Sequence, residues 1–167
     1  MGSIQGLSVI TYYGLSSDTK PVVPNGSCWY ETDTNKFWAR INGTWKVVNE
    51  TALEYEIYNS GSPIVAGEYG RTEVPFDCTI ISARLFADQV GSIVIDIWKS
   101  TYAGWPPTVA NTIVASAKPT LSSASKSQDT TLTGWSKTLL AGDVLKYKVD
   151  SATTVQSVLL SLGVRIQ

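Results

Sequence analysis

SIVIDIWKS, residues 92–100, decides the fold. Ile93, Ile95 and Ile97 fall on one side of an extended chain, and Val94, Asp96 and Trp98 on the other. A period of two, with β-branched residues on the apolar side, marks a strand with one buried face. The alternation recurs in both directions. In TIISARLFAD (79–88), Ile81, Ala83, Leu85 and Ala87 share a face, against Ser82 and Arg84 with Ile80 and Phe86. In DVLKYKVDS (143–151), Leu145, Tyr147 and Val149 oppose Lys146 and Lys148. In SVLLSLGVRI (157–166), Val158, Leu160, Leu162, Val164 and Ile166 alternate with Leu159, Ser161, Gly163 and Arg165. Turn signals separate these runs: NSGSP, DQVGS, YAGWPP, KPTLSSASKSQD, LAGD and DSATT. The Ser- and Lys-rich SSASKSQD reads as an exposed loop. No stretch carries a helical stripe. The pattern predicts an all-β chain whose residues 54–167 form an antiparallel β-sandwich of jelly-roll-like kind.

Residues 1–50 read as a separate unit, a linker followed by an aromatic hairpin module. SSDTKPVVPNG (16–26) is a proline- and glycine-punctuated connection, and GSCWYETDTNKFWARINGTWKVV (26–48) follows it with three of the six tryptophans. Asp33-Thr34-Asn35 makes one turn, and Asn42-Gly43 is the signal of a type I′ hairpin turn. A small three-stranded β-meander is expected at about 28–31, 36–41 and 44–48. Simple alternation would place Trp29, Phe37, Ile41, Trp45 and Val47 on one face, and Tyr30, Trp38 and Val48 on the other. So small a sheet is marginal alone, and each large aromatic left in water forgoes about 1.5–3 kcal/mol. Both faces therefore want cover, which makes Trp29, Tyr30, Trp38 and Trp45 candidates for a subunit interface. An aromatic platform for sugar is the other use of such rings.

Composition removes several function classes. The net charge is −1, with thirteen Lys and Arg residues scattered singly, so the basic footprint of a nucleic-acid binder is missing. MGSIQGLSVI lacks the basic start and apolar run of a secretory signal, and the longest apolar stretches are strand-length, so no membrane insertion is expected. Cys28 and Cys78 have neither metal-ligand spacing nor a disulfide framework, and read as free thiols of a chain made in a reducing cytoplasm. The chain contains no histidine, which removes Ser-His-Asp and Cys-His catalysis and histidine metal sites. Phosphate-cradling and dinucleotide-binding glycine motifs are absent. Asp143 and Asp150 lack a D-x-D-x-D calcium loop, and no pair of acidic residues stands out for glycoside hydrolysis. The expectation is a non-enzymatic protein without metal or cofactor.

The hairpin stretch resembles the short hairpin repeats of bacteriophage tail-fibre and other virion appendage proteins. The residues carrying the likeness are Gly26, Trp29, Tyr30, Thr32, Asp33, Thr34, Lys36, Gly43, Thr44, Trp45 and Val48. The second half resembles domains of phage fibre and minor structural proteins, in which GSIVIDIWK, YAGWPPT, LTGW, GDVL and VDSATTV recur in this order. The resemblance implies a β-sandwich on a virus particle, commonly a homotrimer attached to other virion proteins and made in the cytoplasm of the host bacterium. Its implied role is adhesion to a bacterial cell-surface glycan, or capsid decoration without any ligand. Should the sandwich bind glycan, its loops are where a ligand would sit. Tyr102 and Trp105 in STYAGWPPT (100–108) lead, with Trp135 of LTGW as a second stacking ring and Asp88 of ADQVG as a hydroxyl acceptor. The competing reading makes Trp105 and Trp135 packing residues that close the sandwich.

Overall fold

The computed structural model describes residues 9–167 as two compact units, one running to Glu50 and the other spanning Thr51–Ile166. The first eight residues of the expected 1–50 module lie outside the described residues.

The first unit is a sheet of β1 (Thr11–Gly14), β2 (Cys28–Glu31), β3 (Phe37–Ile41) and β4 (Thr44–Val47), in that order. β2 to β4 are the expected antiparallel meander, and Asn42 and Gly43 turn it with φ of 49° and 75°, the two left-handed conformations of a type I′ turn. β1 was not expected. It pairs parallel to β2, so the sheet has four strands rather than three, and residues 15–27 form the crossover a parallel pair requires. Register also corrects the expected faces. Trp29 lies opposite Trp38, Trp38 opposite Val47 and Arg40 opposite Trp45. Directly opposed residues share a face, so Trp29, Trp38 and Trp45 stand together, while Phe37 and Ile41 lie with Tyr30. Pairing joins odd positions to even ones, which a count along a single strand does not reveal.

The crossover covers the tryptophan face. Lys20 places its ammonium 4.4 Å from the Trp38 ring centroid and 5.5 Å from that of Trp29, and pairs with Glu31 at 2.8 Å. Trp45 donates its indole N–H to the Pro21 carbonyl at 3.1 Å, and Tyr12 stacks on Trp29. Burial raises the pKa of Glu31, but hydrogen bonds from Lys20 and Thr34 outweigh it and hold the carboxyl below its ordinary value. Lys20→Met should therefore destabilise this unit by about 2–4 kcal/mol, because a buried carboxylate loses its cation. Urea unfolding followed by near-ultraviolet circular dichroism of the tryptophans checks it.

The second unit is built on one long strand. β7 (Cys78–Ser100) bends at 88–91 and serves both layers. Its first half pairs with β11 (Ser157–Ile166), which pairs in turn with β5 (Glu50–Tyr58). Its second half pairs with β10 (Val144–Thr153), which pairs with β6 (Gly67–Glu73). β8 (Thr120–Asp129) follows β7 around the bend, and the short β9 (Thr138–Leu139) pairs with the beginning of β7. Gly91 occupies the bend because a Cβ there would stand 2.6 Å from the Thr153 carbonyl oxygen. The sheet thus curls into an antiparallel β-sandwich, as the alternation predicts. Ile93, Ile95 and Ile97 are completely buried, with Leu145, Tyr147 and Val149 of β10 and Val158 and Leu162 of β11. Tyr147 stacks on Tyr55 at 4.7 Å between centroids, and burial pushes its phenol up to about 12.

Two details depart from the sequence reading. Ile80 is buried and Ile81 only partly so, because the β7–β11 register slips between Ser82 and Ile80. That bulge shifts the alternation by one residue. SSASKSQD is not a loop but most of β8, an edge strand on both layers whose one fully buried side chain is Leu121. Serine and lysine on an edge discourage pairing with a second chain, which explains a composition that resembles a loop's.

Candidate functional site

Between the end of β7 and the start of β8 the chain makes a long excursion, residues 101–119, against the outer face of the β10–β6 layer. It begins with a 3₁₀ turn, Tyr102–Gly104, in which the Thr101 hydroxyl accepts from the Gly104 N–H at 3.3 Å. Trp105 follows, then Pro106 and a buried Pro107. A second 3₁₀ turn, Val109–Asn111, is held by the Thr108 N–H donating to Asn111 Oδ1 at 2.9 Å. Thr112 then bridges to Trp98, the Ile113 N–H donates to the Ile97 carbonyl at 2.9 Å, and Ile113 and Val114 enter the core.

Asp96 fastens this return. Its carboxylate, 1% exposed on the outer side of β7, accepts from the Thr112 hydroxyl at 2.6 Å and pairs with Lys118 at 2.9 Å. Lys118 also meets Asp150 at 2.6 Å, and Asp150 in turn takes Lys148. Desolvation pushes the Asp96 carboxyl up, yet the hydrogen bonds from Thr112 and Lys118 dominate and hold it below the ordinary 3.8. The Lys118 ammonium, bonded to Asp150 and Asp96, is held above 10.5. One carboxylate therefore ties two points of the excursion, 112 and 118, to the sheet.

With its far end fixed, the excursion places Tyr102, Ala103 and Trp105 against Arg71 and Glu73 of β6 and Val144 of β10, around an open cleft of about 620 Å³. Register explains the floor. Glu73 lies opposite Val144, Arg71 opposite Lys146, and Lys146 opposite Trp98, so all face outward. The Arg71 guanidinium stands 5.8 Å from the Trp105 ring centroid, and Lys146 stands 5.8 Å from that ring and 5.7 Å from Trp98. Lys146 is paired with Glu68. Trp105 thus has two cations within reach of its ring while 40% exposed, and Tyr102 is 90% exposed at the rim. A flat ring that is orientationally fixed and still open to water is what stacking on the apolar face of a sugar needs, and Arg71 and Glu73 supply a donor and an acceptor beside it.

Tyr102 and Trp105, named from the sequence, are thus brought together. Trp135 and Asp88 lie elsewhere. Trp135 is 8% exposed and donates its indole N–H to the Ala117 carbonyl at 2.8 Å, closing the core. Asp88 Oδ1, at the bend of β7, accepts the backbone N–H groups of Gln156 and Ser157 at 3.1 and 3.2 Å. Of the candidate interface residues, Trp29 is buried and Trp38 and Trp45 half-buried beneath the crossover; Tyr30, on the opposite face, donates its hydroxyl to Asn35. Arg71 and Glu73 were not foreseen. They sit at outward strand positions where charge is ordinary, and only the β6–β10 register brings them under a loop distant in sequence.

A second groove of about 620 Å³ runs along Arg84, Phe86 and Lys126 on the other layer, but it has a single ring and no loop over it. Among the described residues, no three His, Cys, Asp or Glu side chains are placed to hold a metal ion. Comparison of the chain with protein-family models and with curated proteins finds no match in either.

Two stability measurements separate scaffold from site. Asp96→Ala should lower the unfolding free energy by about 2–4 kcal/mol near neutral pH, since Lys118 and Thr112 lose a buried partner. The folded-state pKa of Asp96 is depressed, so its contribution is present above pH 3.8 and fades as pH falls through the folded value. Lys118 acts in the opposite sense: its contribution holds below pH 10.5 and is lost as pH rises through its elevated value. Urea titrations of wild type and variant should differ by a constant amount from about pH 5 to 9 and converge in acid. Separately, Trp135→Ala should cost about 3–5 kcal/mol by the same titration, and Trp105→Ala about 1 kcal/mol or less.

Proposed function

We propose that this chain is a non-enzymatic bacteriophage virion protein of the fibre or appendage kind, which holds a bacterial surface glycan in the Trp105 cleft and works as a homotrimer. The observation that carries the binding role is the cleft itself: an ordered, solvent-open indole with a tyrosine at its rim and polar groups of both signs on its floor. An exposed Trp105 contributes little to the sandwich that a smaller residue would not. Its exposure is accounted for if a ligand completes the contact.

Two points support a binding role rather than catalysis. The chain has no histidine, and Glu73 is the one carboxylate among the described residues lining the cleft, whereas glycoside hydrolysis uses a pair flanking the bond. The virion assignment rests on the ordered motifs of the second half and on the hairpin stretch. The trimer is supported by the same likeness and by the open face of the small sheet, where Tyr13 is 71% and Ile41 40% exposed. Three copies of a weak site in one assembly would raise avidity well above that of a single cleft.

The test is binding of the full chain to an array of bacterial surface polysaccharides, together with its mass in solution by light scattering. Wild type should bind a subset of the glycans as a trimer without releasing reducing ends. Trp105→Ala should lose at least tenfold in apparent affinity while its thermal midpoint moves by no more than about 4 °C. A trimer that binds no glycan would leave the second reading, a decoration or fibre component whose aromatics close the core and subunit contacts. Release of reducing ends would replace both readings with an enzymatic one.

A further inference from the structure

We infer that the glycan taken by the Trp105 cleft is acidic, and that Arg71 grips the carboxylate of a uronic-acid-type sugar while Glu73 accepts its ring hydroxyls. This rests on the glycan-binding reading above and specifies its ligand class. The two cations beside Trp105 are not equivalent. Lys146 is tied to Glu68 and flanks two indoles, so its charge is already met. Arg71 is exposed, and among the described residues its guanidinium makes no ion pair or side-chain hydrogen bond. Among the described residues, the guanidinium's contact is with the Trp105 ring.

A ring contact uses the guanidinium's charge but none of its five N–H donors. The planar fork is thus left free beside an aromatic wall, and a planar carboxylate is its bidentate complement. A ligand with no anion would leave those donors to water and gain little from them. Glu73 fixes the rest of the ligand. It lies two residues from Arg71 on the same face of β6, about 7 Å along the strand. That is close to the span of one pyranose, from an exocyclic carboxylate to the hydroxyls across the ring. A carboxylate there repels a second anionic group and accepts hydroxyl protons, so the floor asks for one negative charge at the Arg71 end and a hydroxylated edge at the other. The ring between them stacks on Trp105. Glu73 also sets a limit on charge: a densely anionic ligand would meet it unfavourably, whereas a singly charged sugar would not.

The experiment compares acidic bacterial polysaccharides before and after carbodiimide-activated borohydride reduction, which converts uronic carboxylates to alcohols and leaves linkage and stereochemistry intact. Wild type should bind at least one native polymer and lose about ten- to a hundredfold on its reduction, the scale of a charge-assisted bidentate contact. Arg71→Gln should bind native and reduced forms alike, at or below the wild-type level for the reduced one because the Trp105 ring also loses its contact with the guanidinium. Arg71→Lys, which keeps the charge but not the fork, should recover only part of the discrimination. Trp105→Ala should lose both forms. If wild type binds native and reduced polymers equally, or Arg71→Gln still discriminates, the carboxylate assignment is overturned while the glycan site stands. Preference for phosphate-bearing polymers that carboxyl reduction leaves unchanged overturns it too. No binding to any polymer removes the glycan reading and this inference together.

Discussion

An aspartate carboxylate buried in the outer face of a sheet is the constraint around which the sandwich is arranged. Asp96 interrupts a run of isoleucines on β7 and would be prohibitive if left alone out of water. The excursion after β7 resolves this by returning across it, bringing the Thr112 hydroxyl and the Lys118 ammonium. Desolvation and pairing are inseparable here. The segment that buries Asp96 is the one that neutralises it, so the excursion has one low-energy path. Its near end, carrying Tyr102 and Trp105, inherits a fixed origin from the strand and a fixed return from the carboxylate. Without that return, the 3₁₀ turns alone would hold the rings weakly, since such turns contribute few hydrogen bonds.

The small sheet uses the same device with different residues. Glu31 is 2% exposed, and the crossover between β1 and β2 delivers Lys20 to it. Again the connection that excludes water from an acid also supplies its cation, and again aromatic rings are organised as a consequence. There, Lys20 lies against Trp38 and Trp29, which accounts for a tryptophan-rich face on a sheet of only four strands. In each unit a buried acid specifies a connection that hydrophobic burial alone would leave loosely determined.

Much of this architecture was legible in the sequence, and the failures have physical causes. Strands of regular alternation, such as those around Ile95, Tyr147 and Leu160, declared themselves because one face is dry and the other is not. Asn42-Gly43 declared its turn because few residue pairs accept two left-handed conformations in succession. Ile80 was assigned to the wrong face because a bulge is a property of two strands and leaves no mark on one. β8 was taken for a loop because an unpaired edge selects the same polar residues a loop does. β1 was missed because a four-residue parallel strand depends on a crossover whose closure rests on Lys20 and Glu31, separated in sequence by a turn-rich stretch. Of the site, Tyr102 and Trp105 were visible as aromatics in a proline-stiffened loop. Arg71 and Glu73 were not, since nothing local distinguishes an outward charge that faces water from one that faces a cleft.

The charges of the cleft bear on how strongly such a surface can act. Arg71 and Glu73 oppose one another in sign, and Lys146 is offset by Glu68, so the floor is close to neutral as a whole while polar at every point. A neutral floor gives little long-range attraction, and encounter with an anionic surface would not be steered as it is by a basic patch. Selectivity must then come from short-range geometry: the fork of one guanidinium, the plane of one indole and their spacing to one carboxylate. Contacts of that kind discriminate well but bind weakly one at a time, because few atoms are buried. In the appendage proposed above, a cleft of this type would gain strength by repetition and could release any one contact without losing the others. The rigidity conferred by Asp96 matters most in that setting, since each repeated contact gains only if its site is already formed.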